Sequence, residues 1–236
     1  MPPCHDRAVI PLKACVLGTF QIELDGRLIE ARGFPRTSAK SLVQLLLLRP
    51  SHRLLRDDAI DTLWPDLDPE HGATNLRKAL HYAREALRTA AGTTILASDG
   101  PALQFGPEVE LDLDLDRIVA AFGRARRLPL TPTTLQDPAV REALDLGART
   151  LLPDERYEDW AIPVRERTAQ AWQALAVEAA EVSRAAGDAD LAATLVDRLL
   201  DLDAADEAAH QIAIRLHLDG GRMHDARRQL ALCRPA

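Results

Sequence analysis

His71, Thr74, Lys78, His81, Tyr82 and Glu85 fall on one side of a helical wheel drawn at about 100° per residue, with Asn75 beside them. Arg77, Arg84 and Arg88 form a basic flank. Leu76, Leu80, Ala83 and Leu87 recur at i, i+4, i+7 and i+11 on the opposite side. Asn, Arg, Lys and His carry the donors and acceptors that read base edges in the major groove, and Arg and Lys hold phosphates. One helix thus offers a reading face, a phosphate-holding flank and a core-facing stripe. An ordinary amphipathic helix with a solvated charged face has the same pattern, so the neighbouring elements must decide.

Those neighbours point to a specific arrangement. Leu12–Leu17 is a short, mostly apolar stretch, and Phe20, Ile22 and Leu24 alternate with Gln21, Glu23 and Asp25. That is a half-buried strand, and Asp25-Gly26 is a strong hairpin turn leading into a return strand at Leu28-Ile29. Thr37 or Ser38 can cap a first helix whose apolar face is Leu42, Leu45, Leu46 and Leu48, with Pro50 as its stop. Arg56–Leu63 reads as a second helix with Ala59, Ile60 and Leu63 inward. Pro65–Glu70 is an acidic, proline-bounded loop, and the third helix is expected from about Gly72 to Ala90. Thr93–Ala97 and Ala102–Phe105 flank Ser98-Asp99-Gly100-Pro101 and read as a closing β-hairpin. The order sheet, three helices, hairpin is that of a winged helix-turn-helix, in which the third helix enters the major groove of duplex DNA.

After Gly106 the pattern becomes helical. Helices are expected near 114–127, 138–150, 160–186, 189–201, 205–218 and 223–233. Ala186-Gly187-Asp188 and Gly220-Gly221-Arg222 are breaks 34 residues apart, and at that offset Ala192 aligns with Ala226 and Val196 with Leu230. This is the tetratricopeptide period, with small residues where paired helices approach. The predicted architecture is mainly α with small β-sheets. A winged helix-turn-helix DNA-binding domain over 1–106 precedes an all-α, tetratricopeptide-like domain over 107–236.

Charge supports that division. The chain of 236 residues has a net charge of -7. Residues 1–106 hold 13 Lys+Arg and 12 Asp+Glu, and residues 107–236 hold 16 and 24, so the halves carry +1 and -8. The front half can face phosphate and the acidic half would be repelled by it. The cysteines are Cys4, Cys15 and Cys233. Their odd number and wide spacing argue against a disulfide framework or structural zinc and fit a reducing cytoplasm. No signal peptide is read at Met1–Arg7, and the longest apolar run, Ile118–Phe122, is far short of a membrane span.

Enzymatic motifs are missing: there is no P-loop, GxGxxG, GxSxG or HExxH. No cofactor is expected. His210, His217 and His224 recur every seven residues but read as surface histidines rather than a metal face. Glu108, Glu110, Asp112, Asp114 and Asp116 alternate with Val109, Leu111, Leu113 and Leu115, which suits a linker strand entering a helix better than a calcium site.

The chain resembles the SARP-type (antibiotic regulatory protein) transcription activators, which join an OmpR-type winged helix to a bacterial transcriptional activation domain. The resemblance rests on Leu17-Gly18, Leu24-Asp25-Gly26, Ser41–Arg49, Leu63-Trp64-Pro65 and Asn75–Leu87 in the front half. In the back half it rests on Leu151–Trp160, Arg165-Glu166-Arg167, Ala208–Leu218 and Gly220-Gly221-Arg222. It implies DNA contacts from Thr74, Asn75, Arg77, Lys78, His81, Tyr82, Arg84 and Arg88. It also implies binding to direct repeats, homodimer contacts, and a polymerase contact through the loop acids Asp66, Asp68 and Glu70. Two positions depart from the pattern. The wing tip Ser98-Asp99-Gly100 lacks a cation, and Tyr82 stands where Arg is common. The alternative from another class is a protein-interaction module, in which the helical half binds a partner and the winged helix is a scaffold, within a longer signal-sensing regulator.

Overall fold

The computed structural model describes residues 9–90 and 92–232. Strands β1 (Ile10–Cys15), β2 (Gln21–Leu24) and β3 (Arg27–Glu30) open the chain. The β2–β3 turn is tight because Asp25 and Gly26 both take positive φ, 52° and 72°. That is the geometry a two-residue hairpin of this twist requires. Leu12, Ala14, Ile22 and Leu24 point one way and are buried.

Helix α1 (Thr37–Leu48) buries almost every side chain from Ala39 to Leu47. The expected cap is displaced: Thr37 is the first helical residue and its carbonyl accepts the Ser41 hydroxyl. Leu47 rather than Leu48 completes the buried face. A helix buried on nearly all sides lies in the core of its unit. Strand β4 (Arg53–Leu55) follows, too short to show a period of its own, and α2 (Arg56–Leu63) continues directly from it. Ala59 of α2 is fully buried, whereas Ile60 and Leu63 are only half-buried.

Helix α3 spans Pro69–Ala86, starting earlier and ending earlier than the periodicity suggested. Asp68 caps it, accepting from the Glu70 and His71 amides, and Pro69 occupies the first turn. The core stripe ends at Leu87, fully buried, just past the helix. Strands β5 (Leu96–Asp99) and β6 (Ala102–Phe105) form the hairpin, and β4 joins it in the order β4-β6-β5. Asp99 pairs with Ala102, so the turn is Gly100-Pro101, and Ser98 and Asp99 are strand residues.

The acidic segment after Gly106 is a strand, β7 (Val109–Leu113), but more than a linker. It adds in parallel to β1, giving the sheet order β3-β2-β1-β7. Asp114, 2% exposed, then starts α4 (Asp114–Ala125). Its carboxylate accepts from the amides of Val16, Leu17 and Leu115 at 2.8–3.1 Å. A buried carboxylate is tolerable only with such donors.

Beyond α4 lie α5 (Pro138–Leu146), α6 (Ile162–Ala185), α7 (Ala189–Leu202), α8 (Glu207–Asp219) and α9 (Met223–Leu232). Asp137, Asp188 and Asp206 cap α5, α7 and α8. Gly187 and Gly221, 34 residues apart, both take positive φ after their helices. Ala192, Val196 and Ala226 are buried, but Leu230, the expected counterpart of Val196, is 47% exposed.

The chain divides into two units. One holds the described residues up to Asp116 with Leu151–Arg165, and the other holds Arg117–Thr150 with the described residues from Glu166. Helices α4 and α6 each begin in the first unit and continue into the second. Segment 151–165 stays with the first through specific bonds. The Leu152 amide donates to the Val16 carbonyl at 2.8 Å, Leu17 bridges Leu151, and Lys40 of α1 pairs with Glu155. Arg165 donates to the carbonyls of Leu151, Leu152, Glu155 and Arg156, fastening the segment to α6.

Candidate nucleic-acid interface

The position of α3 is set at both ends and in the middle. At its start, the Asp68 carboxylate bonds two amides and the His71 Nδ1, at 3.1, 3.1 and 2.6 Å. These bonds hold the Asp68 carboxyl below its usual pKa, the His71 amide contributing most. In the first turn, Gly72 lets α2 approach: a Cβ there would lie 2.4 Å from Ile60 Cγ2. At its end, Arg27 of the β2–β3 hairpin donates to the carbonyls of Ala86 and Arg88 at 2.8 and 2.9 Å. A guanidinium at a helix C-terminus both satisfies orphan carbonyls and opposes the helix dipole. Asp25 of the same turn accepts from the Ala90 amide at 3.2 Å.

That scaffold exposes one face of α3. His71, Arg77, Lys78, His81, Glu85 and Arg88 are exposed, and Thr74, Asn75, Tyr82 and Arg84 are half-buried. Among the described residues, nothing pairs with the Lys78 ammonium. Arg77 folds back along its helix onto the Ala73 carbonyl and the Thr74 hydroxyl, at 3.2 and 3.0 Å. Arg88 meets Glu85 at 2.5 Å. Tyr82 packs edge-on to His81 and lies under the Arg36 guanidinium, 5.5 Å from the ring centroid. The aromatic ring at the place where Arg is common therefore carries a cation from the start of α1.

Arg84 turns toward the hairpin. Its Nε donates to the Leu96 carbonyl at 3.1 Å and an Nη to the Ser98 hydroxyl at 3.0 Å. The Ser98 hydroxyl also accepts from Arg56 at 3.1 Å, and Arg53 lies 3.6 Å from the Asp99 carboxylate. The wing carboxylate is thus not bare: Arg53, Arg56 and Arg84 converge on Ser98 and Asp99. Sequence reading missed Arg27, Arg36, Arg53 and Arg56, because only strand pairing and helix packing bring them here. The register Arg53 opposite Gln104 places Arg53 beside the hairpin.

The fold has a solved counterpart. The chain is similar to Mycobacterium tuberculosis EmbR in complex with low affinity phosphopeptide. The TM-score is 0.74 at 19% identity, over 93% of this chain and 59% of that one. The fold is of the SARP type. An N-terminal winged helix is followed by a helical unit, and this chain spans about three-fifths of the EmbR chain (59%). No family model matches the chain, and no curated protein matches it.

The acidic candidates lie at the N-terminal end of α3. Asp66 and Glu70 are exposed beside the α2–α3 connection, where Leu67 is 41% exposed, while Asp68 is engaged as the cap. His210 corrects the expectation of surface histidines. It is 4% exposed and bonded to the Ala204 carbonyl at 3.0 Å and the Gln229 side chain at 2.8 Å. Among the described residues no three His, Cys, Asp or Glu side chains come together as metal ligands, and no helix is long and apolar enough to cross a membrane. Cys4 and Cys233 lie outside the described residues.

Proposed function

We propose that the chain is a sequence-specific duplex-DNA-binding transcription regulator, an activator that binds direct repeats near promoters. The observation that carries this is the exposed face of α3, with Lys78 unpaired among the described residues and arginines on both sides. In this reading Thr74, Asn75, Lys78, His81 and Tyr82 meet base edges. Arg77, Arg84 and Arg88 hold backbone phosphates, joined by Arg36, Arg53 and Arg56. The hairpin lies along the flanking backbone, its Asp99 charge offset by Arg53. Asp66, Asp68 and Glu70 face RNA polymerase, the helical half supplies activation and homodimer contacts, and the protein works in the cytoplasm without a cofactor or enzymatic activity. The likeness to EmbR supports the reading through the fold alone.

A mobility-shift titration on promoter DNA at two salt concentrations tests it. Affinity should fall steeply with salt, with a log–log slope of about -0.9 per phosphate contacted. Lys78→Ala should relax sequence preference, and Arg77→Ala should weaken binding to all sequences alike. No shift at low salt with folded protein would remove the proposal.

The interaction-module reading draws on the exposed Leu218, Met223, Leu230 and Leu232 of α8 and α9. That module would bind its partner unchanged by Arg77→Ala and with little salt dependence.

A further inference from the structure

Within the second unit, α4 and α6 enclose a cleft of about 400 Å³. Phe122, Ala171, Ala174 and Leu175 give it apolar surface, and Arg126 and Arg167 bring two guanidiniums to its lining. The space exists because alanines, not larger residues, stand at 125, 171 and 174. Its surroundings are fixed by close packing. Gly147 lies so near Trp172 that an added Cβ would sit 2.6 Å from the ring, and it would meet Phe122 at 3.1 Å. The buried Trp172 indole donates to the Leu144 carbonyl at 3.0 Å.

The charges decide what such a cleft accepts. Arg124, Arg126 and Arg127 cluster within four positions at and just past the end of α4. Among the described residues no carboxylate or carbonyl takes the side chain of Arg126 or Arg167. Glu178 is the acidic lining residue, and one of its oxygens accepts the Leu130 amide at 2.9 Å, which holds the 129–132 connector against α6. The cleft therefore joins apolar walls to two unengaged cations. A volume in this range suits a small molecule, and guanidinium is matched to carboxylate and similar oxyanions.

We infer that this cleft binds a small amphipathic organic anion, its apolar body on Phe122 and Leu175 and its acidic group met by Arg126 and Arg167. The inference does not depend on DNA binding. The probe is 8-anilinonaphthalene-1-sulfonate, titrated by fluorescence into the full chain, with neutral N-phenyl-1-naphthylamine as the uncharged counterpart. The sulfonate should bind saturably at one site and be displaced by octanoate at lower concentration than by octanol. Ala174→Trp, at an exposed helix position, should fill the cleft and abolish binding of both probes while the circular dichroism spectrum stays unchanged. Arg126→Gln with Arg167→Gln should weaken the sulfonate about tenfold or more and leave the neutral probe unchanged. No saturable binding, full binding by folded Ala174→Trp, or equal binding by the double Gln variant would each overturn the inference.

Discussion

His52 is held between two acceptors. Its Nδ1 faces the Leu47 carbonyl at 3.1 Å and its Nε2 faces Asp116 at 2.8 Å. Both nitrogens can donate only when the ring is an imidazolium. The bond to Asp116, opposed by burial and aided by the Asp116 charge and the Leu47 carbonyl, raises the His52 pKa above 6.5. The folded state thus binds the proton more tightly than the unfolded chain. The stabilisation is complete below about 6.5, the free-histidine value, and fades as pH rises through the raised folded value. Urea unfolding of wild type and His52→Gln should differ more at pH 5.5 than at pH 8.5. An equal difference at both would remove the imidazolium from the account. Asp68 works in the opposite sense, its lowered carboxyl stabilising above the unfolded pKa and losing that effect as acid protonates it.

At the scale of the element, α3 depends on residues outside it. Gly72→Ala would gain helix propensity of about 1 kcal/mol but drive a methyl group into Ile60 Cγ2. The contact should win, with a net destabilisation of about 1–2 kcal/mol by chemical denaturation. Ile60→Ala removes the obstructing atoms, so adding Gly72→Ala to that background should be neutral or stabilising. Additive losses would show that the close approach does not govern the site. Arg27→Ala uncovers the carbonyls of Ala86 and Arg88, and should cost about 1 kcal/mol and hasten amide exchange in the last turn of α3. The same variant separates positioning from contact. If Arg27 acts only through the helix end, DNA affinity should fall without a change in salt slope.

At the scale of the molecule, the chain returns to its first unit after leaving it. Lys40 and Glu155 form an ion pair with side chains only 16% and 6% exposed, between α1 and the returning segment. Removing one partner strands the other charge away from water, which costs about 3–5 kcal/mol, whereas replacing both with apolar residues can be nearly neutral. Glu155→Ala should therefore lower stability sharply, and Lys40→Met with Glu155→Leu should recover most of the loss in thermal unfolding. A double variant no more stable than Glu155→Ala would mean that the pair itself, rather than charge compensation, holds the segment. A fragment ending at Asp116 should also melt at a lower temperature than the full chain, since it lacks the bonds from Leu151, Leu152 and Glu155.

Local rules made much of this protein legible in the sequence. Asp25-Gly26 set its own hairpin, Pro138 marked the start of α5, and the stripe Leu76, Leu80, Ala83 and Leu87 oriented α3. The 34-residue spacing of Gly187 and Gly221 marked the paired helices. Each of these signals lies within a few residues or in a simple period, where backbone sterics and burial act directly. Tertiary structure decided what depends on partners distant in sequence. Strand β7 pairs with β1 about a hundred positions earlier, segment 151–165 packs with the first unit, and His210 is buried. The same holds for the candidate interface. The face of α3 was readable as a helical wheel, but Arg36 over Tyr82 and the convergence of Arg53, Arg56 and Arg84 on the wing were not. A long arginine side chain has no period to reveal its target, which exists only once strand register and helix packing have placed it.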